Sequence, residues 1–434
     1  MDDKEWAVYG KDFDFEFTPP YEKRAENPAL NIQNGLLWIE TIYDQWLAIV
    51  YPFIPDIGKY SKDAEGVIQF NNSTGSPLPQ HVNEIIFYGR TLDYLFDARR
   101  AVYGLMPDDK VLSVGSDGTL IYTIYDTEGN VNHKIRIGKH RYTTYTEDER
   151  QLELDEVYVK FEFESRPLIH EAISLHGLLI LLMRFMTNRF EVGFRQIKLG
   201  YEESTQKYPD GEVFVKRDYM PTRSISRDLV LTFQDIGRCL QNLLHIFTTI
   251  RNDRNKAYPD YSLDFFPKDS EVGRMTNETI CKICSSLEYE TSLDEKIKNI
   301  QDSELEDLCE SVHNHIKGYA KEHEGISQDT LNLIYNSISF WSLTARNRFI
   351  MLADRHKEAL DCIMKGYMDV KCFDIKSFVD HRNQLMHSAS IPPSQTVIFT
   401  AFILRGLVYI SILHRAGMDE NQIISLCGES RINT

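Results

Sequence analysis

Positive charge is scarce in this sequence: 434 residues carry 48 Lys and Arg against 65 Asp and Glu, a formal charge of −17. That deficit excludes a sequence-independent nucleic-acid coat protein, which needs a broad basic surface, and confines any nucleic-acid site to a local patch. Cysteine is also sparse. Seven residues, an odd number without framework spacing, fit a reducing compartment rather than a disulfide scaffold. The lone CxxC, Cys281-Lys-Ile-Cys284, has no second pair, and it falls on a helical pattern with Ile280, Ile283 and Leu287, so core thiols explain it better than zinc. No basic and then apolar leader opens the chain. The longest apolar runs, 177–183 and 397–413, are too short or are interrupted by Arg405, so no membrane span is expected and the protein is read as cytoplasmic. A P-loop, a GxGxxG after a strand, a GxSxG elbow and an HExxH pair are all missing. His313 and His315 lie two apart on a helical pattern, about 200° around the axis, which is poor for holding one metal. The acidic run 302–307 reads as a solvated helix start. No metal or cofactor is called for.

What is present is an ordinary globular composition, 42% apolar and 12% aromatic, over a length that suggests two or three domains. From Trp6 to about Arg166 the pattern is that of strands. Segments 111–114, 119–125, 131–137 and 157–163 alternate or run β-branched and aromatic, with Asp117-Gly118 and Glu128-Gly129-Asn130 as turns. The fold class predicted is α+β: an antiparallel sandwich or partial barrel over residues 1–255 with inserted helices at about 169–189 and 234–252, and strands at 190–199 and 213–217. Segment 71–79 reads as an exposed loop. A polar stretch with Pro259 and Pro267 marks a linker at 256–275. Residues 276–434 then read as an all-α bundle, with helices expected at 277–287, 304–322, 328–354, 357–366, 374–389 and 394–416.

The most informative stretch runs from Asp374 to Ala389 and contains Arg382-Asn383-x-x-x-His387. Asp374 suits an N-cap, Ile375, Phe378, Val379, Leu385 and Met386 supply an apolar face, and Pro392-Pro393 forbids continuation. On such a helix Asn383 and His387 lie one turn apart on one face, with Arg382 at its edge. A guanidinium for phosphate charge, an imidazole that moves protons and an orienting amide suit phosphodiester cleavage. The plain structural alternative is a surface ion pair and a half-buried polar residue. Upstream, Arg346, Arg348, Arg355 and Lys357 cluster against Asp354 alone; they form either a substrate-facing patch or a solvated helix face.

Arg382-Asn383-x-x-x-His387, the helix-like segment 340–355 before it and the segment 404–423 after it, with its Gly417 stop, resemble the HEPN superfamily of helical ribonucleases in its ApeA-like branch. The resemblance is specific over about 276–423 and looser toward the N-terminus. A second Arg-x6-His match, Arg238 to His245, lacks the asparagine and the flanking pattern. The resemblance implies a metal-independent endoribonuclease in which a 2′-hydroxyl attacks its own phosphate. Arg382 would clamp the phosphate, His387 would act as base or acid, and Asn383 would orient the imidazole or contact phosphate. Arg346, Arg348, Arg355 and His381 are candidate substrate contacts. Glu288 matches a family glutamate and would pair with Arg382 across the bundle or with a neighbouring lysine. The implied setting is abortive infection against phage, with structured RNA such as tRNA as substrate, a homodimer with two motif helices facing each other, and an N-terminal region that senses a phage-derived trigger. The reading from another class is a HEPN-like dimerisation or ligand-binding module without catalysis.

Overall fold

The computed structural model describes residues 81–96, 112–115, 117–126, 128–145, 151–194, 196–200, 211–215, 231–253, 265–268, 271, 273–323, 325–339, 344–365, 373–387 and 391–428, together with short strands between 6 and 70. The expected loop at 71–79 lies outside them. The chain divides into two units, 1–247 with 268–270, and 248–267 with 271–434. The division falls inside a helix, Leu240–Asp253, earlier than the proline-bearing stretch that the composition marks.

The first unit holds a wholly antiparallel eleven-stranded sheet. Its spatial order is Leu112–Val114, Leu120–Tyr125, Val131–Tyr145, Gln151–Phe163, Glu84–Tyr88, Gln196–Gly200, Gly211–Val215, Gly66–Phe70, Trp46–Val50, Leu36–Glu40 and Ile32–Gln33. Period-2 alternation builds the core of the first six strands. In register across the ladder, Tyr122, Ile135, Phe161, Ile85 and Leu199 form one buried row, and Leu120, Ile137, Val159, Phe87 and Ile197 the next. Each such side chain contributes about 1.5–3 kcal/mol on burial. The opposite face is laced with charge: Arg136 Nε meets Glu162 at 2.6 Å and Lys160 Nζ meets Glu84 at 2.5 Å. Gly118, at φ 81°, closes the Asp117 turn in a conformation that a side chain would strain.

The expected sandwich or partial barrel is replaced by one continuous sheet. Among the described residues its edge strands share no ladder. Helices α1 (Arg90–Leu95), α2 (Ile169–Thr187) and α3 (Phe233–Ile236) belong to this unit, and α4 (Leu240–Asp253) begins in it. Asp93 on α1 accepts from the Val157 amide at 2.8 Å, and Tyr122 donates its hydroxyl to the Phe233 carbonyl at 3.0 Å. Gly237, at φ 38°, and a 3-10 turn, Gly237–Cys239, separate α3 from α4, so Arg238 and His245 do not share one helix.

The second unit is a helical bundle: α5 (Asn277–Leu293), α6 (Glu295–Asn299), α7 (Leu305–Glu322), α8 (Gln328–Ser339), α9 (Ala345–Arg355), α10 (Lys357–Lys365), α11 (Ile375–His387), α12 (Gln395–Arg415) and α13 (Glu420–Gly428). The single helix expected over 328–354 is two, because Thr344 caps a new start by accepting from the Asn347 amide. Helix α6 and the π-helical turn Ile300–Glu304 carry too short a pattern to show in the sequence. Apolar run 397–413, expected to fall short of a span, sits in a helix that is long and apolar enough to cross a membrane, with a mean hydropathy of 2.0. Its apolar window is 78% buried within the protein, and α5, α10, α11 and α13 pack around it, so it serves as the central helix of the bundle. Gly417, at φ 87°, ends it, and the Met418 amide returns to the Leu413 carbonyl.

Candidate active site

Helix α11 carries the Arg-Asn-His motif and is anchored at its start. Asp374 accepts from the Lys376 amide at 2.9 Å and from the Ser377 hydroxyl at 2.5 Å, while its own amide donates to Thr400 on α12 at 3.0 Å. The Ser377 bond, with smaller help from the Arg346 charge, holds the Asp374 carboxyl below its ordinary range. Ile375, Phe378 and Val379 are buried, which fixes the rotation of the helix. The helix runs unbroken to His387, so Asn383 and His387 stand one turn apart along the backbone. The side chain of His387 lies outside the described residues.

Arg382 is 29% exposed and faces α5. Its Nη2 lies 3.7 Å from Glu288 Oε1, a single long contact, and its Nη1 donates to the Asn383 amide oxygen at 3.3 Å. Beneath it are the thiols of the CxxC. Burial pushes the Cys284 thiol up to about 12, and the charges of Arg382 and Arg348 oppose that rise, as Arg382 also does for Cys281. The charges of Arg348 on α9 and Arg382 on α11 thus both act on the same α5 thiol. The Arg348 Nε is buried and has no hydrogen-bond partner among the described residues. Arg346, exposed on the first turn of α9, is placed near the start of α11 by its influence on Asp374.

The other candidates are engaged elsewhere. Arg355 pairs with the buried carboxylate of Asp294, which also caps α6 by accepting from the Ile297 amide at 3.1 Å. His381 is 6% exposed and turns into the bundle, its Nε2 3.0 Å from the Asn277 amide oxygen. Asn277 donates to the Ile391 carbonyl at 3.0 Å, which assigns its oxygen as acceptor and the His381 ring nitrogen as donor. Burial lowers the His381 pKa, in keeping with a neutral ring. His381 thus ties α11 to the start of α5. Neither Asn277 nor Asp294 stands out in the sequence beyond being a polar residue at a helix start.

Together Arg382, Arg348 and Asn383 offer guanidinium and amide groups able to receive an anion, with Glu288 as the carboxylate it would displace. Among the described residues no three His, Cys, Asp or Glu side chains converge as a metal site. Comparison with family models, with curated proteins and with solved structures finds no match for this chain.

Proposed function

We propose that the helical unit is a metal-independent endoribonuclease centred on Arg382, Asn383 and His387. The observation that carries the reading is the state of Arg382, whose charge is partly exposed and, among the described residues, meets a carboxylate only at 3.7 Å from Glu288, while Arg348 on the neighbouring helix α9 has a buried Nε without a hydrogen-bond partner among those residues. A phosphate can take the place of that carboxylate and gain bidentate, charge-assisted hydrogen bonds. His387, at the C-terminal end of its helix where the dipole favours imidazolium, would give or take the proton as the 2′-hydroxyl attacks. Single-stranded loops such as those of tRNA are the substrates proposed, because their bases and backbone are open to a local site on an acidic protein. Two copies would bring two such motifs together. The role proposed for the enzyme is RNA cleavage during phage infection, in the cytoplasm, under control of the N-terminal region.

The test is cleavage of total tRNA by the purified full chain in EDTA, with and without lysate from infected cells, comparing wild type with Arg382→Ala and His387→Ala. The expected result is 2′,3′-cyclic phosphate ends, with each variant about 10²–10⁴-fold slower. Equal behaviour of variants and wild type in both settings would sink the nuclease reading. The Glu288 contact favours a second one, a binding or dimerisation module in which Arg382 is a structural ion-pair partner.

A further inference from the structure

A single side chain holds the backbone on both sides of the motif. His381, immediately before Arg382, donates from Nε2 to the Asn277 amide oxygen at 3.0 Å, and Asn277 Nδ2 donates to the Ile391 carbonyl, also at 3.0 Å. Arg382, Asn383 and His387 all lie between those two points in the chain. Asparagine suits this task because one amide group both accepts and donates. A carboxylate could accept from the imidazole but has no hydrogen to give the carbonyl. Ile391 stands after α11 and before the Ser394 cap of α12, so its carbonyl lies outside both helices and takes this donor instead.

The anchor is itself well held. Asn277 opens α5, where Thr276 caps the helix by accepting from the Thr279 amide at 3.1 Å and Ile280 is fully buried. Helix α5 also carries Glu288, the partner of Arg382. One helix therefore fixes the position of the motif, through Asn277, and the resting direction of its guanidinium, through Glu288. Groups that must meet a phosphate and a 2′-hydroxyl together need such support, because a displacement of about 1 Å can cost about a hundredfold in rate.

We infer that Asn277 and His381 are positioning residues for the proposed cleavage: the chain of hydrogen bonds from His381 through Asn277 to Ile391 brackets and fixes the segment that presents Arg382, Asn383 and His387. The inference rests on the ribonuclease reading, and in it neither residue touches the substrate.

Two measurements on the full chain test it, backbone hydrogen exchange over residues 383–387 and steady-state cleavage of tRNA. Asn277→Asp keeps the acceptor for His381 but sets a carboxylate against the Ile391 carbonyl, and His381→Phe removes the other half of the bracket. With circular-dichroism spectra matching wild type, each should speed exchange about tenfold and lower kcat about 10–100-fold while KM stays within about twofold. His381→Gln, whose Nε2 can still donate to Asn277, should recover most of the loss. Thr400→Val breaks the anchor at the start of the same helix, outside the bracketed segment, and should leave kcat and exchange within about twofold of wild type. Unchanged exchange in Asn277→Asp, faster exchange with unchanged kcat, or an equal loss of kcat in Thr400→Val would each overturn the inference. A wild type that cleaves no RNA with or without infected-cell lysate would defeat the nuclease reading on which the inference rests, and exchange would still decide whether the bracket holds the segment.

Discussion

Two glutamates two positions apart on α5 hold arginines in different ways. Glu290 is 1% exposed and grips Arg415 of α12 in a fork, with Oε1 2.8 Å from Nη2 and Oε2 3.1 Å from Nε. Glu288 is 22% exposed and meets Arg382 at one distance of 3.7 Å. The two guanidinium side chains are equally exposed, at 29%, so the contrast lies in the carboxylates and the geometry. A buried bidentate pair fastens a helix to the core, and losing one partner strands the other charge. A loose, half-wet pair is worth little to stability and can be exchanged for a ligand. The same residue types, two positions apart in sequence, therefore serve packing in one case and suit binding in the other.

This comparison can be broken at several points. Arg415→Ala should be the most damaging to the fold, because it leaves the Glu290 carboxylate buried without its guanidinium; a loss of about 3–5 kcal/mol is expected in urea unfolding. Arg382→Ala should barely move the same urea midpoint, and a comparable drop in both would erase the distinction.

Acid should come next. His356 is 2% exposed, with His414 at 5.1 Å between ring centroids and Arg355, Asp294 and Glu420 around it, and burial lowers its pKa from 6.5 to about 4. His381 is shifted the same way. A folded-state pKa below the unfolded one means that the unfolded chain binds more protons between the two values. Stability is therefore full above pH 6.5 and falls as pH drops toward 4, by on the order of 3 kcal/mol for His356. Thermal melts of wild type and His356→Phe across that window should converge in their pH dependence only if another group is responsible.

Glu288→Gln should have the smallest effect on stability, within about 1 kcal/mol. If Arg382 receives phosphate, the same change should tighten binding of a non-cleavable RNA several-fold by removing the competing charge. Weaker binding would place Glu288 in support of the site rather than in competition with it.

Much of this was legible beforehand for physical reasons. The motif helix carries its own instructions, with Asp374 to cap it, an apolar face to orient it and Pro392 to stop it, and α11 follows them. The strands at 120–125 and 157–163 show through their alternation. Helix α9 did not separate from α8 in the sequence, because apolar spacing continues across 340–343 and only the bond from the Asn347 amide to Thr344 marks the new start. Among the candidate cations, local sequence could not distinguish Arg348 from Arg355. Their difference is a buried Asp294, some sixty residues away, that claims one and not the other.

Periodicity, caps and turn residues, which act over a few bonds, by themselves determined the β-then-α order, most of the helices and the shared face of Asn383 and His387. Tertiary structure alone decided that Glu84–Tyr88 lies between Gln151–Phe163 and Gln196–Gly200 in one open sheet, that α12 is buried while no residue of α7 is, and that Glu288 meets Arg382. Those outcomes depend on which distant surfaces meet, and pairing between residues a hundred positions apart leaves no local trace in either segment.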